Sequence, residues 1–389
     1  MNATLARLAP ASFVSIVALA AGCGNTSGTA SDAGSDGAGS PIGFQPSNLS
    51  LSDIEASQAA AKAENVKAPC KVSTDAATPI TDCFTSPIKS VKQPDGSTVN
   101  VVVVKSLTVE AGGAITVQGG VPFVLVSLAD LVLSGTIDAH SSVLDQGAGG
   151  APGATGVTKG GGAGGGAAGS ASAAIGGSGG TYCGVGGQGG GQTTTASSVG
   201  NLDLRPLVGG SAGGGGAEGS GAGGGGIQLV ANGAITINAG SSISVGGEGG
   251  PFSGVASNQN AGGGGSGGSI LLEATSITIA GALAANGGGG GGDYAAGAGA
   301  DATPNATPAA GAKGGTSGGA GGAGGAGAVP AGSPGLPAAG LNSGGGGGGT
   351  GRIRMNSASG SATVTGTVSP AQSTLCVLVA KVRAFSDGP

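Results

Sequence analysis

Aromatic and charged residues are scarce in this chain. Its 389 residues include no tryptophan, two tyrosines and six phenylalanines, and charged residues make up only 8%. The formal net charge is −5, and no stretch forms a basic stripe, which argues against nucleic-acid binding. The shortage of aromatic side chains also disfavours the stacking platforms on which carbohydrate enzymes usually rely.

Two further absences narrow the class of protein. No apolar run near 18 residues follows the N-terminus, so no later membrane-spanning helix is predicted. Glycine is abundant, at 93 residues, but it follows no strict Gly-X-Y period, which excludes collagen. The mean hydropathy of +0.26 is unlike that of disordered chains, which combine low hydrophobicity with high charge. We therefore expect a folded chain.

Short apolar alternations recur with a fixed spacing. Two apolar residues separated by a small or polar one mark a half-buried strand. Three such pairs occupy 270–285, and the same layout returns at 124–139, 227–245 and, more loosely, 353–370, after a related stretch at 101–117. The inward positions of the clearest copy are Ile270, Leu272, Ile277, Ile279, Leu283 and Ala285.

This repetition predicts an all-β fold, a right-handed parallel β-helix of about five three-strand coils. Ile227, Ile270 and Ile353 would then lie in neighbouring coils. A meandering β-sandwich is the alternative, because it too has many short strands. The three long insertions all follow the third strand of a repeat, so they should leave from one corner and stand side by side.

Runs of glycine fill these insertions, as at 160–166, 287–292 and 344–349. They can be disordered loops, phosphate-binding loops, or extended polyproline-II-like segments that pack closely because glycine has no side chain. No run ends in the Gly-Lys-Ser/Thr of a P-loop, which disfavours phosphate. We expect partial order, with disorder as the close alternative. The single GGxGxD match at 288–293 lacks the tandem copies of a calcium site, so no metal or cofactor is predicted.

The first 22 residues are typical of a secretory signal, with Arg7 before an apolar stretch at 11–21. The sequence Leu19-Ala20-Ala21-Gly22-Cys23 resembles the lipobox of bacterial lipoproteins, although Ala20 occupies the position where leucine is usual. The resemblance implies cleavage before Cys23 and attachment of palmitate and other acyl chains to it, which anchor a protein stably. A plain secretory signal is the alternative.

The composition also resembles that of glycine-rich bacterial surface lipoproteins. That resemblance implies a structural or adhesive role, and Gly24 in place of aspartate implies sorting to the outer membrane, exposed to the cell surface or the periplasm. The patterns divide the chain into a lipoprotein signal peptide (1–22), a flexible tether (23–47), an N-terminal cap (48–99) and a glycine-rich β-helix domain (100–389). The cap should hold a cysteine loop, a hairpin turning at Gln93–Gly96, and a capping helix that opens at Ser52 and ends near Lys67.

Four cysteines remain once Cys23 is set aside, an even number that favours disulfides in an exported chain. Cys70 and Cys83 bracket a short loop and are the favoured local pair. The pairing of Cys183 with Cys376 follows only by elimination. A metal site is the rival interpretation, but the spacing matches no zinc motif.

The only histidine, His140, lies near Asp130, Asp138 and Asp145. The neighbouring repeats offer no second polar cluster, so we expect a solvated His–Asp pair and assign no catalytic residue. The predicted function is a non-enzymatic structural or adhesive lipoprotein, whose partners are the membrane and either glycans or neighbouring surface proteins. A carbohydrate-binding or sugar-cleaving protein is one alternative. An ice- or mineral-binding protein is another, suggested by Thr236, Thr278 and Thr363 at the same place in three repeats.

Overall fold

The structure is a computed structural model that describes residues 40–75, 79–142, 146–194, 196–252, 260–292, 297–315, 318–338 and 342–385. The predicted signal peptide and the predicted lipid attachment site at Cys23 lie outside the described residues, as do Asp145 and Tyr294. From Ser40 onward the chain forms one unit by its internal contacts.

The described residues are mostly strands, with one α-helix, α1 (Leu51–Gln58), and one 3-10 turn (Ala171–Ala173). The strands that precede the first glycine insertion are β1 (Ala63–Val66), β2 (Pro69–Ser73), β3 (Ile80–Thr81), β4 (Ile88–Lys92), β5 (Thr98–Val104), β6 (Ser106–Val109), β7 (Ala114–Gln118), β8 (Phe123–Ser127), β9 (Leu131–Leu133) and β10 (Thr136–Asp138). The later strands are β11 (Gly226–Ile237), β12 (Ser242–Ser244), β13 (Ser269–Ile279), β14 (Ala282–Ala284), β15 (Arg352–Ser357), β16 (Thr363–Val364), β17 (Thr367–Ser369) and β18 (Val377–Lys381).

The strands form two sheets. The larger has eleven strands and runs β1-β6-β9-β11-β13-β15-β18, with β4, β5, β8 and β16 paired alongside this path. The smaller has seven strands in the order β17-β14-β12-β10-β7-β2-β3. Ile270 pairs with Ile227 on one side and with Ile353 on the other. The predicted register of these three isoleucines is therefore confirmed.

The predicted right-handed parallel β-helix with an N-terminal capping helix is wrong. Both sheets are mixed, because β3 pairs antiparallel with β2 and β4 pairs antiparallel with β5, and the sheets curl together like part of a barrel. The turn at Gln93–Gly96 drives one reversal, with Gly96 at φ +86° and its N–H donating to the Gln93 carbonyl at 2.9 Å. A tight turn of this kind brings its two flanking strands side by side in opposite directions, so they pair antiparallel.

The helix differs from the prediction in place and length. Its N-cap is Ser50, whose side chain accepts from the Asp53 N–H, and the helix ends at Gln58 instead of near Lys67. Residues 63–66 form β1 and pair with β6, so sheet pairing overrides the helical propensity of the alanines. Ile54 packs among Val99, Val101 and Val103 on a face of the larger sheet, so the helix covers that face and does not cap the end of a stack.

Both sheets turn apolar side chains into a shared interior. Residues from the two sheets that lie opposite each other there include Leu107, Ile137, Ile235, Ile243 and Leu283, all buried. The predicted boundary between residues 99 and 100 falls inside β5, and β1, β2 and β5 pair with strands of the repeats. The predicted N-terminal cap is thus part of the sheets and shares their core.

A second apolar cluster lies on the outer face of the larger sheet, where residues 40–61 cross it. Ile42 and Phe44 are buried there, so the packed chain begins inside the predicted tether. The carboxylate of Glu273 is also buried beneath this segment and accepts hydrogen bonds from the Ser47 N–H at 2.9 Å and the Ser47 hydroxyl at 2.6 Å. Gln228 and Asn356 donate to it from neighbouring strands at 2.7 and 3.1 Å. These bonds fasten residues 40–61, which we call the N-terminal strap.

Candidate functional site

The three glycine insertions pack against one another as one body, which we call the glycine array. Gly177 of the first insertion donates to Ala261 of the second, and Gly264 of the second donates to Gly346 of the third. Gly346 in turn donates back to Gly177, and each of these N···O distances is 2.9 Å. The prediction that the insertions stand side by side is therefore confirmed.

Hydrogen bonds in the array repeat every third residue. Along 261–268 the amides of Ala261, Gly264 and Gly267 donate to Ser343, Gly346 and Gly349 of one neighbouring segment. The amides of 262, 265 and 268 donate to 251, 248 and 245 of a second segment, and those of 263 and 266 donate to 214 and 211 of a third. A threefold repeat without internal hydrogen bonds is the geometry of a polyproline-II helix. The extended, closely packed interpretation of the glycine runs is therefore confirmed for these residues.

The array requires glycine because the backbones approach too closely for a side chain. A Cβ at Gly264 would stand 2.3 Å from the Gly288 carbonyl oxygen, and one at Gly265 would stand 1.8 Å from the Ala222 oxygen. The amides are also engaged: Gly288 donates to Gly265, and Gly291 donates to Gly262. Amides that bond within the array cannot cradle a phosphate, which agrees with the missing P-loop residues.

The structure contains two disulfides, Cys70–Cys83 and Cys183–Cys376. The first is the local pair that the sequence favoured, and the second is the pair that followed by elimination. Cys183 belongs to the first glycine insertion and Cys376 directly precedes β18, so the second bridge ties the array to the sheet. Asp82 lies within 4.8 Å of the sulfurs of Cys70 and Cys83. Because both sulfurs are spent on the disulfide, no thiolate remains there for zinc.

His140 pairs with Asp138 and not with Asp130, and the predicted neighbour Asp145 lies outside the described residues. Its Nδ1 lies 2.8 Å from the Asp138 carboxylate, and each side chain is 34% exposed. Asp130 lies elsewhere and accepts from the Ala234 amide at 2.7 Å. The hydrogen bond to Asp138 raises the pKa of His140, with partial opposition from burial and smaller contributions from the charges of Asp301 and Glu248. The predicted solvated pair is present, although it is half-buried beside two further acids.

A cleft of about 650 Å³ is lined mostly by residues of the glycine insertions, among them Glu248, whose charge acts on His140. Carboxylates line it at Asp75, Glu218 and Glu248, together with the ring of Phe252 and the hydroxyl of Ser220. Glu248 accepts from the Ala222 amide at 2.9 Å, and burial raises the pKa of its carboxyl. A cleft that offers carboxylates, a hydroxyl and one aromatic ring has the polar and apolar contacts that a neutral polyol would need.

The sequence analysis missed the cleft residues and the Glu273 site. Glu218 and Glu248 stand alone inside glycine runs, GAEGS and GGEGG. A lone charge in a run otherwise free of charge is the one signal that could have marked them. Glu273 lies within β13, at a position where a charged residue ordinarily faces solvent. It is buried because the N-terminal strap covers it.

Comparison of the chain with family models, with curated proteins and with solved structures finds no match. Functional inference therefore rests on the geometry above. Among the described residues, no helix has the length and apolar character that crossing a bilayer requires.

Proposed function

We propose that this protein is a lipid-anchored, outer-membrane protein of a bacterial envelope, and that its role is structural or adhesive without catalysis. In this proposal Cys23 carries the lipid, and the glycine array is the surface presented to glycans or neighbouring surface proteins. The observation that carries the proposal is the array itself: three insertions from one part of the fold hydrogen-bonded into a rigid body.

Two features support export and display. The disulfides Cys70–Cys83 and Cys183–Cys376 suit an oxidising compartment, since such bonds are rare in proteins kept in a reducing cytosol. The second bridge also fixes the array to the sheet, so a partner would meet a surface that needs little further ordering. Preorganised surfaces bind with a smaller entropic cost.

The lipid anchor is tested by labelling. Cells that express the full chain should incorporate radiolabelled palmitate into it, and globomycin should block its processing. The Cys23→Ser variant should lose the label, whereas Cys70→Ser should keep it. Equal labelling of both variants would contradict the anchor.

The binding role is tested with an array of glycans and a panel of envelope surfaces, probed with the chain that carries Cys23→Ser. We expect saturable binding to at least one surface and no turnover of the bound glycan. Gly264→Arg, which forces the array apart, should abolish the binding, while the exposed substitution Lys105→Arg should not. Binding that survives Gly264→Arg would place the interaction outside the array.

A second candidate function is carbohydrate binding in the cleft, or sugar cleavage there. The combination of Glu218, Glu248 and Phe252 in one cleft favours it. Glu248→Gln, which keeps the size of the side chain and an oxygen acceptor, should then weaken glycan binding or remove a hydrolytic activity. If that variant binds every glycan as the parent does, the cleft has no part in recognition.

A further inference from the structure

One side of the larger sheet carries a ladder of six uncharged side chains in register, four of them threonines. The pairing β1–β6–β9–β11–β13–β16 aligns six outward positions along a line across the strands, each pair directly opposite the next. The residues of this ladder are Asn65, Thr108, Val132, Thr236, Thr278 and Thr363. Thr108, Thr278 and Thr363 are exposed, and Val132 and Thr236 are half-exposed.

The ladder is flanked by two rows of equally small residues. From β9 to β16, the neighbours two positions along the strands are uncharged except for the exposed Asp130 before Val132. The uncharged ones are Ser134, Ala234, Asn238, Ser276, Ala280, Ser361 and Thr365. Charges stand only at the border. Lys67 pairs with Glu110 at 3.3 Å at the β1–β6 end, and Asp130 turns back to accept from the Ala234 amide at 2.7 Å. We call this uncharged surface the threonine face.

The other faces of the two sheets are partly covered, and this one is not. The N-terminal strap covers the face formed by β5, β8 and the first half of β11, where Val124, Val126 and Val230 are buried. On the smaller sheet Ser244, Ala284 and Ser369 are buried, and Asn286 donates to the carbonyls of Thr303 and Asn305 in the third insertion. The smaller sheet has outward threonines too, Thr136 half-exposed and Thr367 exposed, but Ser242 and Ala282 lie between them in the register. The larger sheet places threonine on three adjacent strands, at Thr236, Thr278 and Thr363.

We propose that the threonine face binds the surface of ice. Neighbouring strands repeat every 4.7–4.9 Å, close to the spacing of water molecules on faces of the ice lattice, so the ladder presents methyl and hydroxyl groups at nearly that repeat. β-branched side chains are stiff at χ1, and the strands of Thr108, Thr236 and Thr278 are paired on both sides. Because these side chains are already restricted, binding ice would cost little further side-chain entropy.

The chemistry of the face disfavours other occupants. A charged mineral needs charged ligands, and the centre of the face has none. A sugar polymer is usually held by aromatic stacking, and no aromatic side chain belongs to the face. At strand spacings the face measures roughly 24 by 15 Å, an area of about 360 Å². A stable dimer buries roughly 800 Å² per partner, so the face is too small to be a dimer interface.

The test measures ice recrystallisation and crystal shape with the full-length chain carrying Cys23→Ser, which keeps lipid and detergent out of the assay. The parent should inhibit recrystallisation and facet single crystals. Thr278→Lys, at the middle of the three adjacent threonines of the ladder, should raise the concentration needed by at least about tenfold. Thr307→Lys, an exposed threonine of the glycine array, should behave as the parent does.

Thermal unfolding of each protein separates loss of binding from loss of fold. If Thr278→Lys unfolds, Thr363→Lys on the short terminal strand β16 provides the same test at a less constrained site. A parent that leaves ice growth unchanged would overturn the proposal. Equal losses for Thr278→Lys and Thr307→Lys would also overturn it, since the effect would then not belong to the face.

Discussion

Glu273 shows at the scale of single residues how a charge is held in the interior. Its carboxylate is fully buried and bonds to Ser47, Gln228 and Asn356, all neutral donors. Hydrogen bonds to a charged group are each stronger than neutral ones, and a donor left without its acceptor costs a further desolvation penalty. The Glu273 side chain therefore links the N-terminal strap to the strands β11, β13 and β15.

We predict that Glu273→Ala lowers the free energy of unfolding by about 3 kcal/mol, because four buried donors lose their acceptor. Urea denaturation of the folded chain measures this. Glu218→Ala, which removes an exposed carboxylate, should change the free energy by no more than about 0.5 kcal/mol. Equal effects of the two substitutions would mean that the strap is not fastened at Glu273.

His140 should make stability depend on pH. Its pKa is raised from 6.5 mainly by the hydrogen bond to Asp138, so the folded state holds a proton more tightly than the unfolded state does. This contribution is complete below pH 6.5 and is lost as the pH rises through the folded pKa. The parent should therefore exceed His140→Asn in unfolding free energy most clearly below pH 6.5. A difference that grows at higher pH would contradict the pairing.

Glycine determines structure at the scale of elements. The segment 261–268 lies among three neighbours and bonds to each in turn. Ordering glycine costs more backbone entropy than ordering any other residue, and here close contact among many backbones offsets that cost. Adding a single methyl group inside the array should therefore lower the free energy of unfolding strongly.

Gly264→Ala should destabilise the protein by about 3 kcal/mol, since its methyl group would stand 2.3 Å from the Gly288 oxygen. Gly43→Ala is the matched control, because its nearest neighbour is the Asn232 side chain at 3.6 Å. It should change stability by no more than about 0.5 kcal/mol. Calorimetry or denaturant unfolding measures both, and a tolerated Gly264→Ala would argue that the array is loose.

Elements with a clear repeat could be predicted from sequence, and elements set by tertiary contacts could not. The spacing of apolar pairs gave the register of Ile227, Ile270 and Ile353. The 227–245 copy has one residue more than the 270–285 copy between its first two apolar pairs, and this residue corresponds to the irregularity in β11 between Ala231 and Ala234. The end of the helix was missed because pairing with β6 claims residues 63–66. The mixed sheets were missed because the predicted hairpin and cysteine loop were assigned to a separate cap, whereas their strands join the two sheets. The cleft was missed because its carboxylates converge only when the insertions pack.

At the scale of the whole molecule, the two disulfides differ in how far apart their cysteines lie along the sequence. Cys70 and Cys83 are 13 residues apart, whereas Cys183 and Cys376 are 193 apart. Closing a longer loop removes more entropy from the unfolded chain. The long bridge should therefore stabilise the fold more, and it is also the covalent link between the array and the sheet.

Replacing Cys183 and Cys376 by alanine should lower the unfolding free energy by about 5 kcal/mol in the chain-entropy estimate, against about 3 kcal/mol for the Cys70–Cys83 pair. Denaturant unfolding of the two double variants under oxidising conditions measures the difference. A smaller loss for the long bridge would indicate that the array holds to the sheet without it.

Amide hydrogen exchange across 261–268 tests the central claim most directly, which is that the glycine insertions form one ordered, hydrogen-bonded body. The account predicts that these amides exchange as slowly as those of 270–274 in β13, because both sets bond to buried carbonyls. Exchange at the rate of unprotected glycine, while β13 stays protected, would show that the insertions are flexible loops and would contradict the account.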